Sequence, residues 1–353
     1  MKAAAKKRLP RVRSRKGAPG IVDVALRAKV SPATVSRYFN SPDVVRGPTQ
    51  KRIQKAAEDL GYIRDRMAGA MHNRSSGTMG LIVPTIDNAI FAEFIQAFSE
   101  ELQANDRTML IATHNYDLDL EVAIVRSLLE RRIDGVALIG FDHAPQPLEM
   151  LATRNLPVLA VWNYASDSDI SCVGADNREA GRRVTQYVID QGHREIALLF
   201  PPVVGNDRAG DRLEGALDAL TGAGVEPKPE YLRETAYHVG QAKEVALDLL
   251  SQHRPTVLVC GNDIIAHGAM YACQKMGLSI PGDISIIGIG DFGGSQYMQP
   301  ALTTLRLPAR RIGSQAARLL CHDPNLADPS YRKRVELPLQ LVERDSVARL
   351  NPV

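Results

Sequence analysis

The feature that most constrains this fold is an alternation of short apolar runs with longer amphipathic segments, beginning after Gly77. The runs are GLIVP (80–84), TMLIAT (108–113), GVALIG (135–140), PVLAVW (157–162), CVGAD (172–176), EIALLF (195–200), TVLVCGND (256–263) and ISIIGIGD (284–291). Segments between them, such as 91–104 and 118–131, have helical spacing. Strands that alternate with helices predict parallel sheets covered on both faces. Eight strands are too many for one sheet, so we predict two similar lobes.

The expected binding site follows from this architecture. Ligands of open parallel sheets bind beyond the carboxyl ends of the strands, so we predict a small-molecule site in the cleft between the lobes. The chain length agrees with this prediction. A chain of 353 residues is longer than one that usually folds around a single hydrophobic core, and it suits a small domain followed by a two-lobed one.

The N-terminal part has a helical period instead. A first helix is predicted from one apolar face, and a second begins with Ser31 as N-cap and Pro32 at its first position. A third follows Pro48 and Thr49 and ends at Gly61. The apolar face of the first helix consists of Ile21, Val24, Ala25 and Ala28. Three short helices, two of them joined by a tight turn, predict a helix-turn-helix unit over residues 20–65.

Charge is distributed unevenly along the chain. Residues 1–75 contain 18 Lys and Arg against 5 Asp and Glu, whereas the other 278 residues contain 25 basic and 35 acidic side chains. A basic N-terminal domain followed by an acidic larger domain is typical of a protein that binds nucleic acid through its N-terminal part. Residues 1–19 are basic and poor in large apolar side chains, which predicts a disordered arm.

The second helix is the candidate reader of DNA bases. A recognition helix needs outward side chains near its N-terminus, and here those positions hold Pro32, Ala33, Ser36 and Arg37. Arg37 can donate two hydrogen bonds to guanine, whereas Ala33 offers only an apolar contact. The short polar residues suit phosphate contacts, although they can also serve only to cap the helix. They are Ser31, Thr34, Ser36 and Asn40.

These residues carry a resemblance to a known family. The run IVDVALRAKVSPATVSRYFN (21–40) resembles the head of the LacI/GalR bacterial repressors, whose pattern is D-V-A-x-x-A-x-V-S-x-x-T-V-S-R-x-x-N. The matching positions are Asp23, Val24, Ala25, Ala28, Val30, Ser31, Thr34, Val35, Ser36, Arg37 and Asn40. The segment LGYIRDRMAGAM (60–71) is similar to the family's hinge, although Arg64 and Asp65 replace its usual Pro-Asn.

The resemblance implies further DNA contacts in the hinge, at Tyr62, Ala68 and Met71. In the family this segment folds into a short helix on the operator and wedges a Leu into the minor groove. Met71 occupies that position here and is also apolar. Gly69 lowers helix propensity, so we expect this hinge to depend strongly on DNA for its order.

The resemblance continues through the larger domain and implies effector-binding positions. PTIDNAIFAEFI (84–95), DRLEGALDAL (211–220), CGNDIIAHGAM (260–270) and IPGDISIIGIGDF are similar to family motifs. The implied contacts are Asn88, Phe91, Trp162, Arg212, Asn262 and Asp291. Phe91 and Trp162 are candidates for stacking on the ligand, with plain core packing as the alternative.

The implied effector is a sugar or a sugar acid. Gly290 replaces an Asp that is usual in the family, and removal of a carboxylate from the cleft favours an anionic ligand such as gluconate. Arg212 would then hold the ligand's carboxylate with two hydrogen bonds.

The predicted organisation is a small all-α head joined to an α/β two-lobed domain of the periplasmic-binding-protein type. Residues 1–19 form the arm, 20–65 the helix-turn-helix domain, 66–77 the hinge and 78–350 the effector-binding domain. We expect lobe 1 to combine 78–175 with 305–330, and lobe 2 to combine 176–304 with 331–350. A homodimer should read the two half-sites of a pseudo-palindromic double-stranded operator, with a tetramer as the alternative.

Several other functions are disfavoured. No GxxxxGK[ST] loop, no GxGxxG after a strand and no nucleophile–base pair stands out, so we expect no catalytic residues and no cofactor. The four scattered cysteines predict reduced thiols without a metal, and His143, His193 and His267 are expected to be structural. We also expect Asp263 to cap a helix. With no apolar run of membrane-spanning length and no secretory signal, the protein should remain in the cytoplasm. The alternatives are a cytoplasmic sugar-binding protein, or an α/β enzyme with an appended nucleic-acid-binding head.

Overall fold

The computed structural model describes residues 18–64, 75–87, 89–328 and 330–350. The chain forms two compact units, Met1–Ser76 and Gly77–Val353. Most of the predicted arm, most of the predicted hinge and the predicted site residues Ala68, Met71 and Asn88 lie outside the described residues.

The first unit contains the three predicted helices. They are α1 (Ile21–Ala28), α2 (Pro32–Asn40) and α3 (Gly47–Leu60), with a 3₁₀ turn at Pro42–Val44. Left-handed residues end two of them, since Lys29 has φ +54° and Gly61 has φ +60°. The helices enclose a small apolar core made of Val24, Ala25, Ala28, Val35, Val45, Ile53 and Ala56.

The second unit alternates strands and helices. Its strands are β1 (Thr78–Val83), β2 (Thr108–Thr113), β3 (Gly135–Ile139), β4 (Val158–Asn163), β5 (Cys172–Ala175), β6 (Ile196–Phe200), β7 (Leu232–Glu234), β8 (Val257–Cys260), β9 (Ser285–Gly290), β10 (Thr303–Arg306), β11 (Arg334–Glu336) and β12 (Gln340–Val342). Its helices are α4 (Ala89–Ala104), α5 (Asp119–Glu130), α6 (Pro145–Ala152), α7 (Asn177–Asp190), α8 (Asp207–Gly222), α9 (Val239–Gln252), α10 (Asp263–Met276) and α11 (Ala309–His322).

The strands form two sheets, one in each lobe. The order is β11-β5-β4-β3-β1-β2 in the first sheet and β12-β10-β9-β8-β6-β7 in the second. Neighbouring strands are parallel except for β10 and β12, which are antiparallel. The predicted fold class, a helical head followed by a two-lobed α/β domain, is confirmed.

The lobe boundaries differ from the prediction near the C-terminus. We assigned 331–350 to the second lobe, but β11 pairs in parallel with β5 of the first sheet, and only β12 joins the second. Residues 305 and 306, assigned to the first lobe, end β10 in the second sheet. The chain therefore crosses between the lobes after β5, after β10 and after β11. The strands β10, β11 and β12 have three or four residues and fall outside the apolar runs that marked the other strands, which is why these positions were missed.

Two glycines let α7 and α8 contact each other through their backbones. A Cβ atom on Gly181 would lie 1.8 Å from the carbonyl oxygen of Arg212, and one on Gly215 would lie 1.8 Å from that of Arg178. Real Cβ atoms do not approach this closely, so only glycine fits at either position. The contact fixes the N-terminal turn of α8, which borders the cleft.

A search of the described residues for a helix both long and apolar enough to span a membrane finds none.

Candidate DNA-binding and effector sites

Helix α2 presents the predicted base-reading residues to solvent. Ser31 caps it by accepting a hydrogen bond from the Thr34 amide at 3.1 Å, and Pro32 follows at the first position, as predicted. Val35 is buried in the core of the head, whereas Pro32, Ala33 and Arg37 are exposed. The helix is therefore oriented with its predicted DNA face outward.

The short polar residues of this face bond to one another. The hydroxyls of Ser31 and Thr34 lie 2.9 Å apart, and Asn40 Nδ2 donates to Ser36 Oγ at 3.2 Å. Both pairs are solvent-exposed, so phosphate oxygens can compete for the same donors.

The segment after α3 contacts the end of α2 through hydrogen bonds and an aromatic ring. The Arg64 guanidinium donates to the Phe39 carbonyl and to Asn40 Oδ1, and the rings of Tyr62 and Phe39 lie 5.7 Å apart. The half-buried Tyr62 ring thus packs against the core of the head, and its contact with DNA stays a prediction. The Arg64 contact could not be anticipated, because the sequence marked Arg64 only as a departure from the family pattern.

A cavity of about 400 Å³ opens between the lobes at the carboxyl ends of β1, β2, β6 and β7. We call it the cleft cavity. Asp87, Asn115 and Tyr116 line it from the first lobe, and Asn206 and Tyr237 from the second. The two tyrosine rings face each other with centroids 6.4 Å apart and planes 29° from parallel. Ring faces opposed across a cleft, with polar groups beside them, suit a small ring-shaped ligand.

The loop that carries Tyr116 has an unusual backbone. Asn115 and Tyr116 have φ values of +50° and +63°. Asn tolerates this left-handed region, but a bulky Tyr adopts it rarely. Strain of this kind clusters at binding sites, which supports a role for Tyr116 in the cleft.

The N-terminal turn of α8 bridges the lobes. Asp207 Oδ2 accepts from the Phe141 amide at 2.7 Å, and the Arg208 guanidinium donates to the Ile139 carbonyl at 3.2 Å. Asp207 and Arg208 also form an ion pair at 2.6 Å. Phe141 and Ile139 lie at the end of β3 in the first lobe, so this pair holds the two lobes together beside the cleft.

Asn163, at the end of β4, is the centre of a buried hydrogen-bond chain. Its Nδ2 donates to Asp207 at 3.0 Å and to Asp211 at 2.8 Å, while its Oδ1 accepts from Asn177 Nδ2 at 2.7 Å. Asn177 Oδ1 in turn accepts from Arg212 Nε at 2.7 Å. Sequence reasoning missed Asn163, Asn177 and Asp207, although Asn163 directly follows a predicted strand.

The Arg212 guanidinium is hydrogen-bonded to two groups of this chain. It is 2% exposed, and it also donates to the Gly261 carbonyl at 3.0 Å. Burial lowers the pKa of its guanidinium. These two bonds use two of the five N–H donors of the guanidinium, so they fix its position without excluding the expected contact with a ligand carboxylate.

The N-cap of α10 is Asn262 and not Asp263, which the sequence had predicted. Asn262 Oδ1 caps α10 by accepting from the Ile265 amide at 3.0 Å, whereas Asp263, predicted as the cap, lies one position further. The buried Asp263 carboxylate instead accepts from the hydroxyls of Ser295 and Thr304. Asn262 Nδ2 is buried without a hydrogen-bond partner, so it keeps a donor for a ligand.

Phe91 and Trp162 are core residues in this structure. They are 3% and 1% exposed, and their rings meet edge to face at 5.1 Å. Neither lines the cleft cavity. Of the two interpretations considered for these aromatics, the geometry favours core packing over ligand stacking.

Asp291 lies apart from the cleft cavity. Its carboxylate, 7% exposed, accepts from Arg306 Nε at 2.7 Å and from Arg344 at 2.6 Å. It lines a separate cavity instead, together with Gly290 and Arg306. The predicted effector residues are therefore not all brought to one place.

Acidic groups crowd the α8 side of the cleft. Desolvation raises the pKa of Asp211 and of Asp142, and the nearby Asp207 charge raises both further. Two guanidiniums, those of Arg208 and Arg212, oppose them, but both are buried and already bonded. This environment accepts hydrogen bonds from hydroxyl or amine groups more readily than it binds an anion.

Known families match both units. Residues 20–65 match the sequence profile of the bacterial regulatory proteins of the lacI family, and 76–329 match that of the periplasmic binding proteins and sugar binding domain of the LacI family. The chain belongs to the lacI family.

Individual relatives agree with this assignment. The transcriptional repressor PurR of Serratia proteamaculans is 31% identical over 331 residues, which cover 93% of this chain and 96% of the relative. A lacI-family regulator from Silicibacter pomeroyi is 25% identical, with a TM-score of 0.82 over 94% of this chain and all of its own. The regulator GntR of Chromobacterium violaceum is 28% identical, with a TM-score of 0.71 over 76% of this chain and 98% of its own.

The protein is thus a DNA-binding transcriptional repressor with an effector-binding domain, as predicted. LacI-family repressors bind operator DNA and small-molecule effectors, and they act as dimers.

Proposed function

We propose that a dimer of this repressor reads a pseudo-palindromic operator with α2, under the control of an uncharged sugar bound in the cleft cavity. In this proposal Pro32, Ala33, Ser36 and Arg37 reach base edges, whereas Ser31, Thr34 and Asn40 contact phosphates. Tyr62, Ala68 and Met71 are assigned to the hinge contacts.

The observation that carries the effector proposal is the pair of opposed tyrosine rings. Tyr116 belongs to the first lobe and Tyr237 to the second, so a ligand bound against this pair of rings contacts both lobes at once. Asp87 and Asn115, whose side chains are exposed in the cleft, supply the acceptors and donors that sugar hydroxyls need. Such a ligand changes the free-energy difference between lobe arrangements, which is the basis for control of operator affinity.

A sugar acid such as gluconate is less well supported. The described residues that line the cleft cavity include the carboxylate of Asp87 and neither a lysine nor an arginine, so they favour an uncharged ligand over an anion. We therefore assign the effector to the uncharged sugars.

A purine-related effector is the second candidate. The repressors named PurR are similar to this chain over nearly its whole length, and a flat base could also stack on the outer face of one of the two tyrosine rings.

The test is isothermal titration of the full chain with neutral monosaccharides and disaccharides, gluconate, hypoxanthine and guanine. The wild type is compared with Tyr237→Ala, and with Tyr297→Ala as control, because Tyr297 is a 78% exposed tyrosine outside both cavities. We expect a neutral sugar to bind, to lose at least tenfold in affinity in Tyr237→Ala only, and to change operator affinity measured by fluorescence anisotropy.

Binding of a purine with the same dependence on Tyr237 would select the second candidate. Binding of gluconate alone, or binding that survives Tyr237→Ala unchanged, would refute the assignment of an uncharged sugar to the cleft cavity.

A further inference from the structure

A second cavity, of about 540 Å³, lies beside the segments that cross between the lobes. We call it the crossover cavity. Glu93, Arg310 and Arg311 line it from the first lobe, and Asp291, Arg306 and Arg344 from the second. It shares no lining residue with the cleft cavity. Both lobes therefore supply walls to a second site of metabolite size.

The charge of this cavity is positive. Four arginines line it against two carboxylates. Asp291 is held by two guanidiniums at once, those of Arg306 and Arg344, so one positive charge of this trio is uncompensated. An excess of guanidinium groups around a concave site attracts anions and can bind their oxygens in pairs.

Arg311 supplies a guanidinium that has no side-chain partner in the described part of the chain. It lies in the first turn of α11, and among the residues that the structure describes it makes no side-chain hydrogen bond or ion pair. Its neighbours on the same helix differ, because Arg310 pairs with Glu100 at 2.8 Å and Arg318 with Glu101 at 3.0 Å. Arg311 keeps all its donors available to a ligand.

We propose that the crossover cavity binds a small dianion of the phosphate-monoester type, held between Arg311 of the first lobe and the Arg306–Arg344 pair of the second. This site goes beyond the uncharged effector proposed above, because it is a different cavity with the opposite charge preference. An anion that bridges the lobes stabilises the lobe arrangement in which the two sets of arginines face each other. It is therefore a second regulatory ligand, and its binding is thermodynamically coupled to that of the effector.

The test is calorimetric titration of the full chain with inorganic phosphate at pH 7.5, with sodium chloride of equal ionic strength as the salt control. Gluconate is titrated in parallel, to separate phosphate from carboxylate recognition. We expect phosphate to bind the wild type and Arg311→Gln to weaken it about tenfold, because the substitution removes a charge-assisted contact. Arg318→Gln is the matched control, since it removes the same charge from the same helix outside the cavity and should leave phosphate affinity unchanged.

A second variant should act in the opposite direction. Asp291→Asn removes the carboxylate that neutralises Arg306 and Arg344, and Asn tolerates the φ of +56° at this position. We expect phosphate to bind this variant several-fold more tightly.

The proposal is overturned if phosphate gives no heat beyond the chloride control, if gluconate binds more tightly than phosphate, or if Arg311→Gln and Arg318→Gln behave alike. Failure of the effector assignment gives a different result. If Tyr237→Ala does not change the affinity for a neutral sugar, phosphate binding and its dependence on Arg311 are unaffected.

Discussion

At the scale of single residues, the side chains beside the cleft are held in place before any ligand arrives. Asn163, Asn177 and Arg212 form a continuous buried chain that ends on the carboxylates of Asp207 and Asp211. Buried polar groups of this kind cost little while every partner is present, and they cost much when one is removed.

Arg212→Ala should therefore destabilise the domain as well as alter ligand response. The substitution leaves Asn177 Oδ1 and the Gly261 carbonyl without their donor in a buried site. We expect the free energy of unfolding, measured by urea titration, to fall by about 2–5 kcal/mol. The exposed Arg178, which pairs with Glu214 and Asp218, is the control, and Arg178→Ala should cost much less. Equal losses in the two variants would contradict the buried chain.

The sequence placed some of these residues and not others. Family motifs drew attention to Arg212, in the second turn of α8, and to Asn262, the N-cap of α10. Asn177, the partner of Arg212, lies 35 positions away, and Asn163 and Asp207 are 44 positions apart in different lobes, so neither contact could be predicted. The opposite failure occurred at Phe91 and Trp162, since an aromatic side chain at a helix start or a strand end is equally compatible with core and ligand contact.

At the scale of elements, close helix crossings determine the positions of the helices whose residues border the cleft. Helices α7 and α8 touch backbone to backbone at Gly181 and Gly215, and α4 and α11 approach in the same way at Gly313. The eight strands that fall in the apolar runs, and the helices between them, were predictable from the sequence. The other four strands and these crossings were not, because both depend on contacts distant in the chain.

Gly215→Ala tests the importance of the crossing. The added methyl group would overlap the Arg178 carbonyl, so α7 and α8 must separate. We expect the free energy of unfolding to fall by about 1–3 kcal/mol. Gly222→Ala on the same helix has open space around its Cβ position and should be neutral or stabilising by up to about 1 kcal/mol. If thermal unfolding ranked the two variants in the reverse order, the crossing would not be tight.

At the scale of the whole molecule, buried histidines make stability depend on pH. Burial lowers the pKa of His114, His193 and His267 below the ordinary value of 6.5. The native state then binds fewer protons than the unfolded state once the pH falls below about 6.5. Stability should be complete above this pH and should decrease progressively below it.

His193→Gln isolates one of these groups. His193 contacts Thr256 Oγ1 at 2.9 Å and the Ala348 carbonyl at 3.1 Å, and it is fully buried. Urea unfolding between pH 7.5 and 5.5 should show a smaller loss of stability on acidification in this variant than in the wild type. The slope contributed by one group is at most about 1.4 kcal/mol per pH unit. His322→Gln, on the surface, serves as control, and an unchanged slope in His193→Gln would contradict the prediction.

The central claim of this account is that each α2 helix of a dimer contacts the bases of one operator half-site. The direct measurement is the affinity of the wild type and of Arg37→Ala for an operator in which every base pair is replaced in turn. The account predicts that the wild type loses about 1–3 kcal/mol at symmetry-related positions, and that Arg37→Ala loses this discrimination at one symmetric pair only. A uniform weakening of Arg37→Ala at all positions, with a shallower salt dependence, would mean that Arg37 contacts phosphate and that α2 does not read the sequence as proposed.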